Sequence, residues 1–249
     1  MPRDPEARGL FRAPPGRVLV AADYDQMELR VAALLAGEEA LLAAYRAGRD
    51  AHALTAAALL GKAPGAVTGD ERRLAKAANF GLLYGQSAEG LRAYAAAAYG
   101  VAMTAAEARR HRAAWLAAHP GFRDWHARVR AGAGRGPAAR TPAGRERRGS
   151  AGEGLGATRA LNHPVQGGAA EVLLAALARL HRGLAAAGLD AALVAAVHDE
   201  LVVEAAAADA PAAARVLEGA MVAGMLEVLP GAPMAGLVEA RAGPSWAGG

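Results

Sequence analysis

The sequence predicts an α+β protein in which an antiparallel sheet, covered by helices, carries an inserted all-helical lobe. Three observations lead there. Apolar runs of strand length lie near both ends of the chain, at 18–23 and 192–204, whereas 39–130 between them reads as almost wholly helical. Hydrophobic residues make up 53% but aromatics only 4%, so the core must be built from Ala, Leu and Val. Much of that hydrophobic content is alanine, which favours helix more than it drives burial.

The elements follow in order. Val-Leu-Val-Ala-Ala-Asp at 18–23 reads as a buried strand ending at Asp23, and 26–35 as a helix with Leu29, Ala32 and Ala33 on one face. The helical stretch breaks at Gly48-Arg-Asp50, at 61–64, at Gly85, at Gly100 and at 119–121. Gly, Pro and Arg dominate 131–156, which predicts a loop or short hairpin and the best candidate boundary. A long helix is expected over 166–184. The runs 192–197 and 201–204 flank His198-Asp-Glu200 and read as a hairpin with a carboxylate at its turn. A helix near 208–228 and a further strand at 234–240 complete the chain, which has no internal repeats.

At 249 residues and 25.2 kDa the chain can bury a full core as one large domain or two lobes. It has no cysteine, so any metal must be held by oxygen or imidazole ligands. The amino-terminal residues lack an apolar signal core and no long uncharged apolar run follows, which predicts no membrane association and a cytoplasmic location. Net charge is +4, and Arg128, Arg130, Arg135, Arg140, Arg145, Arg147 and Arg148 fall in one stretch that could follow a phosphate backbone or simply be a solvated loop. His111, His119, His126 and His181 lack ligand spacing and are expected in surface or capping roles. Trp115 and Trp125 are expected as core anchors of the helical lobe.

Rare residue types mark the chemistry. The chain has two lysines, Lys62 and Lys76, two asparagines, Asn79 and Asn162, and three glutamines, Gln26, Gln86 and Gln166. Asp23 and Asp199 end or turn two predicted strands, 176 positions apart. If those strands are neighbours the carboxylates can share hard cations, and paired Mg2+ ions about 4 Å apart stabilise the attacking and leaving oxygens of a phosphoryl transfer. By spacing alone, two unrelated turn aspartates are the alternative. Arg72, Lys76, Phe80 and Tyr84 recur every four residues and form one helix stripe, with Asn79 and Leu83 beside it. Two cations followed by two aromatics suit a triphosphate and a base that needs a flat surface, although a solvated basic edge leading into a buried aromatic pair gives the same pattern. No Gly-x-x-x-x-Gly-Lys loop is present.

The segments Asp23-Tyr-Asp-Gln-Met-Glu-Leu-Arg30, Arg72-Arg-Leu-Ala-Lys-Ala-Ala-Asn-Phe-Gly-Leu-Leu-Tyr-Gly85 and Val197-His-Asp-Glu200 resemble, in order and spacing, motifs A, B and C of family A DNA polymerases of the bacterial DNA polymerase I kind. Lesser matches at Gly48-Arg-Asp-Ala-His52, Thr141-Pro-Ala-Gly-Arg145, Asn162-His-Pro-Val-Gln-Gly167 and Gly243-Pro-Ser-Trp246 extend the resemblance over the whole chain. It implies a palm in two parts, 1–30 and 150–249, flanking fingers at 31–149. It also implies a template-directed DNA polymerase that adds deoxynucleotides to a primer with two Mg2+ ions. By the resemblance, Asp23 and Asp199 hold the metals and are catalytic with Lys76. Glu200 is a nearby carboxylate of lesser role, placed with the DNA-facing residues Gln166, His198, Arg145 and Asn162. Arg72, Lys76 and His52 contact the triphosphate, Phe80 packs on sugar and base and disfavours dideoxynucleotides, and Gln26 is a further nucleotide contact. Glu28 is the steric gate against a ribose 2′-hydroxyl, held by Tyr84, while Arg30 braces its motif. Most of these are phosphate and shape contacts, as copying any sequence requires.

The chain departs from the family pattern at Asp25, where Ser is usual, and at Thr158, where an arginine is frequent and Arg159 stands one place later. About 17 residues precede the first strand, so weak grip on duplex DNA and low processivity are expected unless a second chain supplies a thumb. Two other readings stay open: a partner-dependent or inactive DNA-binding module, and a single-subunit RNA polymerase, which Glu28 disfavours.

Overall fold

The structure, a computed structural model, describes residues 5–132, 139–149 and 154–248. In chain order its elements are α1 (Pro5–Gly9), β1 (Arg17–Tyr24), α2 (Met27–Ala36), α3 (Glu39–Arg46), α4 (Ala51–Leu60), α5 (Gly69–Leu83), α6 (Ala88–Tyr99), α7 (Ala105–Ala118), α8 (Pro120–Gly132), β2 (Ala139–Arg140), β3 (Glu146–Arg147), α9 (Ala157–Ala186), β4 (Ala191–Val197), β5 (Glu200–Ala206), α10 (Ala210–Val228) and β6 (Val238–Gly243). A 3-10 turn, Pro64–Ala66, joins α4 to α5. The chain forms two compact units, one of Met1–Met27 with Gly168–Gly249 and one of Glu28–Gly167.

The first unit is built on a sheet of order β4-β5-β1-β6, antiparallel throughout. Strand alternation gives each face its own chemistry. Val20, Ala22, Tyr24, Leu201 and Val203 share one face and are buried, with α10 packed against β1, β5 and β6. The Tyr24 hydroxyl donates to the Met221 carbonyl of α10 at 2.7 Å, and burial pushes its pKa well up. Helix α10 also approaches the second half of α9 so closely that a methyl group on Gly224 would lie 2.7 Å from the Ala176 nitrogen; only glycine fits there. On the opposite face Leu19, Ala21, Val202 and Trp246 form a small apolar cluster.

Two boundaries in this unit differ from expectation. The last strand begins at Val238 rather than 234, because Gly231 and Gly236 adopt left-handed backbone and the Leu237 N–H closes a turn onto the Met234 carbonyl. Helix α9 starts at Ala157 and runs through Pro164, so it is longer than the expected 166–184. Proline removes one hydrogen bond there, and the helix nevertheless continues to Ala186.

In the second unit helices α3 to α8 follow the predicted breaks, and local chemistry explains why. Asp50, Thr68, Ser87 and Thr104 are N-caps whose side chains accept backbone N–H bonds, and Glu71 and Glu107 complete two capping boxes. Gly61 and Gly100 close α4 and α6 in left-handed conformation. The Trp115 and Phe122 rings stack at 5.3 Å, 1° from parallel, and Trp125 joins this buried core as expected. His119 and His126 are buried with it rather than exposed. His119 terminates α7 beneath Trp115, and His126 bonds through Nε2 to the Leu83 carbonyl at 2.8 Å. His181 is exposed. The arginine-rich stretch contains the β2–β3 hairpin; Arg130 donates to the Gly85 carbonyl at 2.8 Å, and Arg140 and Arg148 pair with Glu146. Arg135 and the rest of 133–138 and 150–153 lie outside the described residues. Among the described residues no helix is long and apolar enough to cross a membrane.

Candidate active site

In the sheet unit, backbone register decides which acidic groups meet. Asp23 is directly opposite Glu200 on β5 and Glu239 on β6, so the three side chains project from one face in a row. The β4–β5 turn brings Asp199 to the same end, and its carbonyl accepts the Tyr24 N–H at 3.2 Å. Two residues flanking this end, Gln26 and His198, are the only described non-glycine residues with positive φ, at 53° and 57°. Such backbone is uncommon for these types and persists only where surroundings impose it.

The acidic residues differ in how they are held. Glu200 is buried, accepts two bonds from the Arg8 guanidinium at 3.2 and 2.7 Å, and takes a third from Trp246 Nε1 at 2.8 Å. Arg8 in turn lies 4.6 Å from the centre of the Trp246 ring, and the two line a cavity of about 150 Å3 with Leu19, Ala21 and Arg241. Asp23 is half-exposed and its Oδ1 lies 3.4 Å from Arg241 Nη2. Glu200 is therefore saturated by fixed donors, whereas Asp23 carries a loose counter-ion. Among the described residues no three His, Asp or Glu side chains are arranged to hold a metal. Asp23 and Asp199 carry carboxylates, the ligand type that suits Mg2+, an ion usually held by one or two carboxylates with water and substrate phosphate completing its shell.

In the helical unit, Asp50 organises the cations. One carboxylate oxygen caps α4 by accepting from the His52 and Ala53 N–H groups at 2.8 and 3.2 Å, and the other accepts from Arg72 Nε at 2.5 Å. Arg72 is exposed, and Lys76, one turn on, is half-buried. Phe80 lies another turn on, with its ring 5.9 Å from that of His52. His52 is only 1% exposed. Burial, with Arg72 and Lys76 nearby, lowers its pKa to about 4, and its Nε2 has no hydrogen-bond partner.

Tyr84 follows at the end of α5 and its hydroxyl donates to Glu28 Oε2. Gln166 Nε2 is 3.5 Å from Glu28 Oε1. Burial first, and then the Glu28 charge, raise the Tyr84 pKa far above its usual value, so the phenol stays a donor that pins the carboxylate. Arg30 is buried, 4.2 Å from the centre of the Tyr45 ring. Of the remaining expected residues, Arg145 and Gln166 are exposed, Asn162 is half-buried on α9, and His198 is exposed at its turn. Gln26 donates to Asp25 Oδ2 at 2.9 Å.

Sequence reasoning gave no role to Asp50 or Trp246, though both lie in segments that resemble the family, and missed Arg8 and Arg241. Asp50 had a visible signal, an Asp directly before a helix; the others are joined to the site only by strand pairing or by long-range side-chain contact.

The chain matches the model of DNA polymerase family A over residues 2–248. It is 38% identical to DNA polymerase I of Aquifex aeolicus over 216 residues, 87% of this chain and 37% of that protein. It is 39% identical to DNA polymerase I of Pseudomonas aeruginosa over 205 residues, 79% of this chain and 22% of that protein. The chain thus spans little more than a third, or less, of these relatives. Among solved structures it is similar to the POL domain of Pol1 from M. smegmatis in complex with DNA primer-template and dNTP, with a TM-score of 0.85 and 28% identity, covering 99% of this chain and 44% of that one. Its three motif segments, its mixed helical and antiparallel architecture and this family match agree: the chain belongs to DNA polymerase family A.

Proposed function

We propose that the chain carries the nucleotidyl-transfer centre of a DNA-directed DNA polymerase, with the sheet unit as palm and the helical unit as fingers. The observation that supports this most directly is the arrival of Asp23 and Asp199 at one end of neighbouring strands from positions 176 residues apart. Asp23 and Asp199 would hold two Mg2+ ions, which when bound supply charge neutralisation at the attacking and leaving oxygens. The chain's own residues do the rest. Arg72 and Lys76 neutralise the triphosphate and Lys76 stands by the leaving group, while His52 contacts a phosphate oxygen. Phe80 packs on sugar and base, and Gln26 is a further contact to the nucleotide. Glu28, pinned by Tyr84, fills the space a 2′-hydroxyl would need. Gln166, His198, Arg145 and Asn162 face the primer-template, and Glu200, saturated by Arg8 and Trp246, acts as a fixed negative charge beside Asp23.

The test is extension of a labelled primer on a template by the purified chain with Mg2+ and deoxynucleotides, beside Asp199→Ala. Extension by the parent and loss in the variant, with DNA binding retained in both, is the expected result. Equal extension by both would sink the assignment of Asp199, and DNA binding without extension in either would favour the partner-dependent module.

A further inference from the structure

Behind the cation stripe of the helical unit lies a buried polar network that settles where the His52 ring carries its proton. Asn79 is fully buried. Its Oδ1 is 2.8 Å from Trp115 Nε1 and its Nδ2 is 2.9 Å from His52 Nδ1 and 3.1 Å from the Thr55 hydroxyl. An indole N–H can only donate, so the atom facing it must be the amide oxygen; the reversed amide would set two donors against each other. With the amide direction fixed, Nδ2 is the donor to His52 Nδ1. That nitrogen must hold a lone pair, and the proton of the neutral ring sits on Nε2. The ring is neutral at pH 7, because burial and two neighbouring cations hold its pKa near 4. Nε2 is buried and has no hydrogen-bond partner among the described residues, in a ring 5.9 Å from that of Phe80 and close enough to Arg72 and Lys76 to feel their charge.

We propose that Asn79, oriented by Trp115, is a positioning residue that fixes His52 in its Nε2–H form, so that the ring meets the triphosphate as a neutral hydrogen-bond donor. This rests on the reading of His52 as a phosphate contact. The arrangement adds a directed donor where Arg72 and Lys76 already supply charge. The opposite tautomer would turn a lone pair toward phosphate oxygens and repel them.

The tautomer is measurable without substrate, by long-range 1H–15N correlation of the His52 ring in labelled protein at pH 7. The expected pattern is a protonated Nε2. Asn79→Asp presents a carboxylate that accepts from both Trp115 and His52, so it should move the proton to Nδ1 and weaken deoxynucleoside triphosphate binding by about tenfold, the usual worth of a hydrogen bond to a charged group. In a His52→Gln background the same substitution should leave that affinity unchanged. A ring carrying its proton on Nδ1 in the parent overturns the proposal whether or not the variant folds, and so does a ring unaffected by Asn79→Asp. Unchanged triphosphate affinity in His52→Gln alone would instead overturn the phosphate-contact reading on which it rests, a result separable because the tautomer is read with no nucleotide present.

Discussion

The two units hold their functional side chains by different means. In the sheet unit, β-ladder register sets Glu200, Asp23 and Glu239 in a row, and Asp23 itself is half-exposed with only a loose partner in Arg241. In the helical unit, His52 and Asn79 are at most 1% exposed and are locked by a network that reaches Thr55 and Trp115. Backbone pairing tolerates changes of side chain, whereas a buried network fails when one member is changed. Substitution of Asp23 should therefore change chemistry and leave the fold intact, while substitutions in the helical network should change both.

The largest effect expected from this contrast is at Asp23. Asp23→Asn keeps size and strand pairing but removes the carboxylate proposed as a metal ligand, so primer extension should fall about a thousandfold, the rate equivalent of about 4 kcal/mol. The melting temperature should stay within a degree or two of the parent, because the residue is half-exposed and unsaturated. A variant that melted far below the parent would break the comparison by showing that the acidic row is structural.

His52 should behave in the opposite way. Its folded pKa is near 4 against about 6.5 in the unfolded chain. Neutral His52 is compatible with burial, so its contribution is fully present above pH 6.5 and is lost as pH falls toward 4. The shift corresponds to about 3 kcal/mol. Denaturant unfolding of the parent and His52→Gln at pH 7 and pH 4 should show the parent losing about that much more stability than the variant. Parallel losses would mean that the ring reaches solvent.

Legibility followed the same division. The helical breaks could be read from Asp50, Thr68-x-x-Glu71, Thr104-x-x-Glu107, Gly61 and Gly100, because caps are local chemistry with fixed spacing. The strand run ending at Asp23 and the turn at Asp199 could be read for the same reason. The partners of the site could not. Arg8 reaches Glu200 across 192 positions and Arg241 reaches Asp23 across 218, and nothing in a local pattern announces which strands pair. Trp115 is the core anchor and His119 the helix cap that were expected, but each also has a polar role. Trp115 Nε1 is in addition the donor that orients Asn79, and the His119 ring is buried 3.3 Å from the Thr55 hydroxyl. Periodicity reports burial of the ring but not what its nitrogens touch.

Glu28, five positions after Asp23 in sequence, is held by Tyr84 and Gln166 within the helical unit. Glu28→Ala should admit ribonucleotides by about 10- to 200-fold, in the range that a small change in pocket volume produces. Competition between a ribonucleotide and its deoxy counterpart in primer extension measures this directly. Tyr84→Phe should give a smaller shift in the same direction, because the carboxylate remains but loses the donor that positions it. Unaltered sugar preference in both would remove Glu28 from the gate.

The smallest expected effect tests the looseness of the sheet site itself. Asp23 and Arg241 are both more than half exposed and 3.4 Å apart, a geometry in which an ion pair is worth at most about 1 kcal/mol. A divalent cation at Asp23 must share the carboxylate with this guanidinium or displace it, so Arg241 opposes metal binding by a similar amount. Arg241→Ala should lower the Mg2+ concentration giving half-maximal extension by about two- to fivefold, and the difference should shrink in high salt, where exposed charges are screened. The direction matters more than the size. A higher Mg2+ requirement would mean that Arg241 orients Asp23 for the metal, making the sheet site a second network of fixed side chains and erasing the contrast with the helical unit.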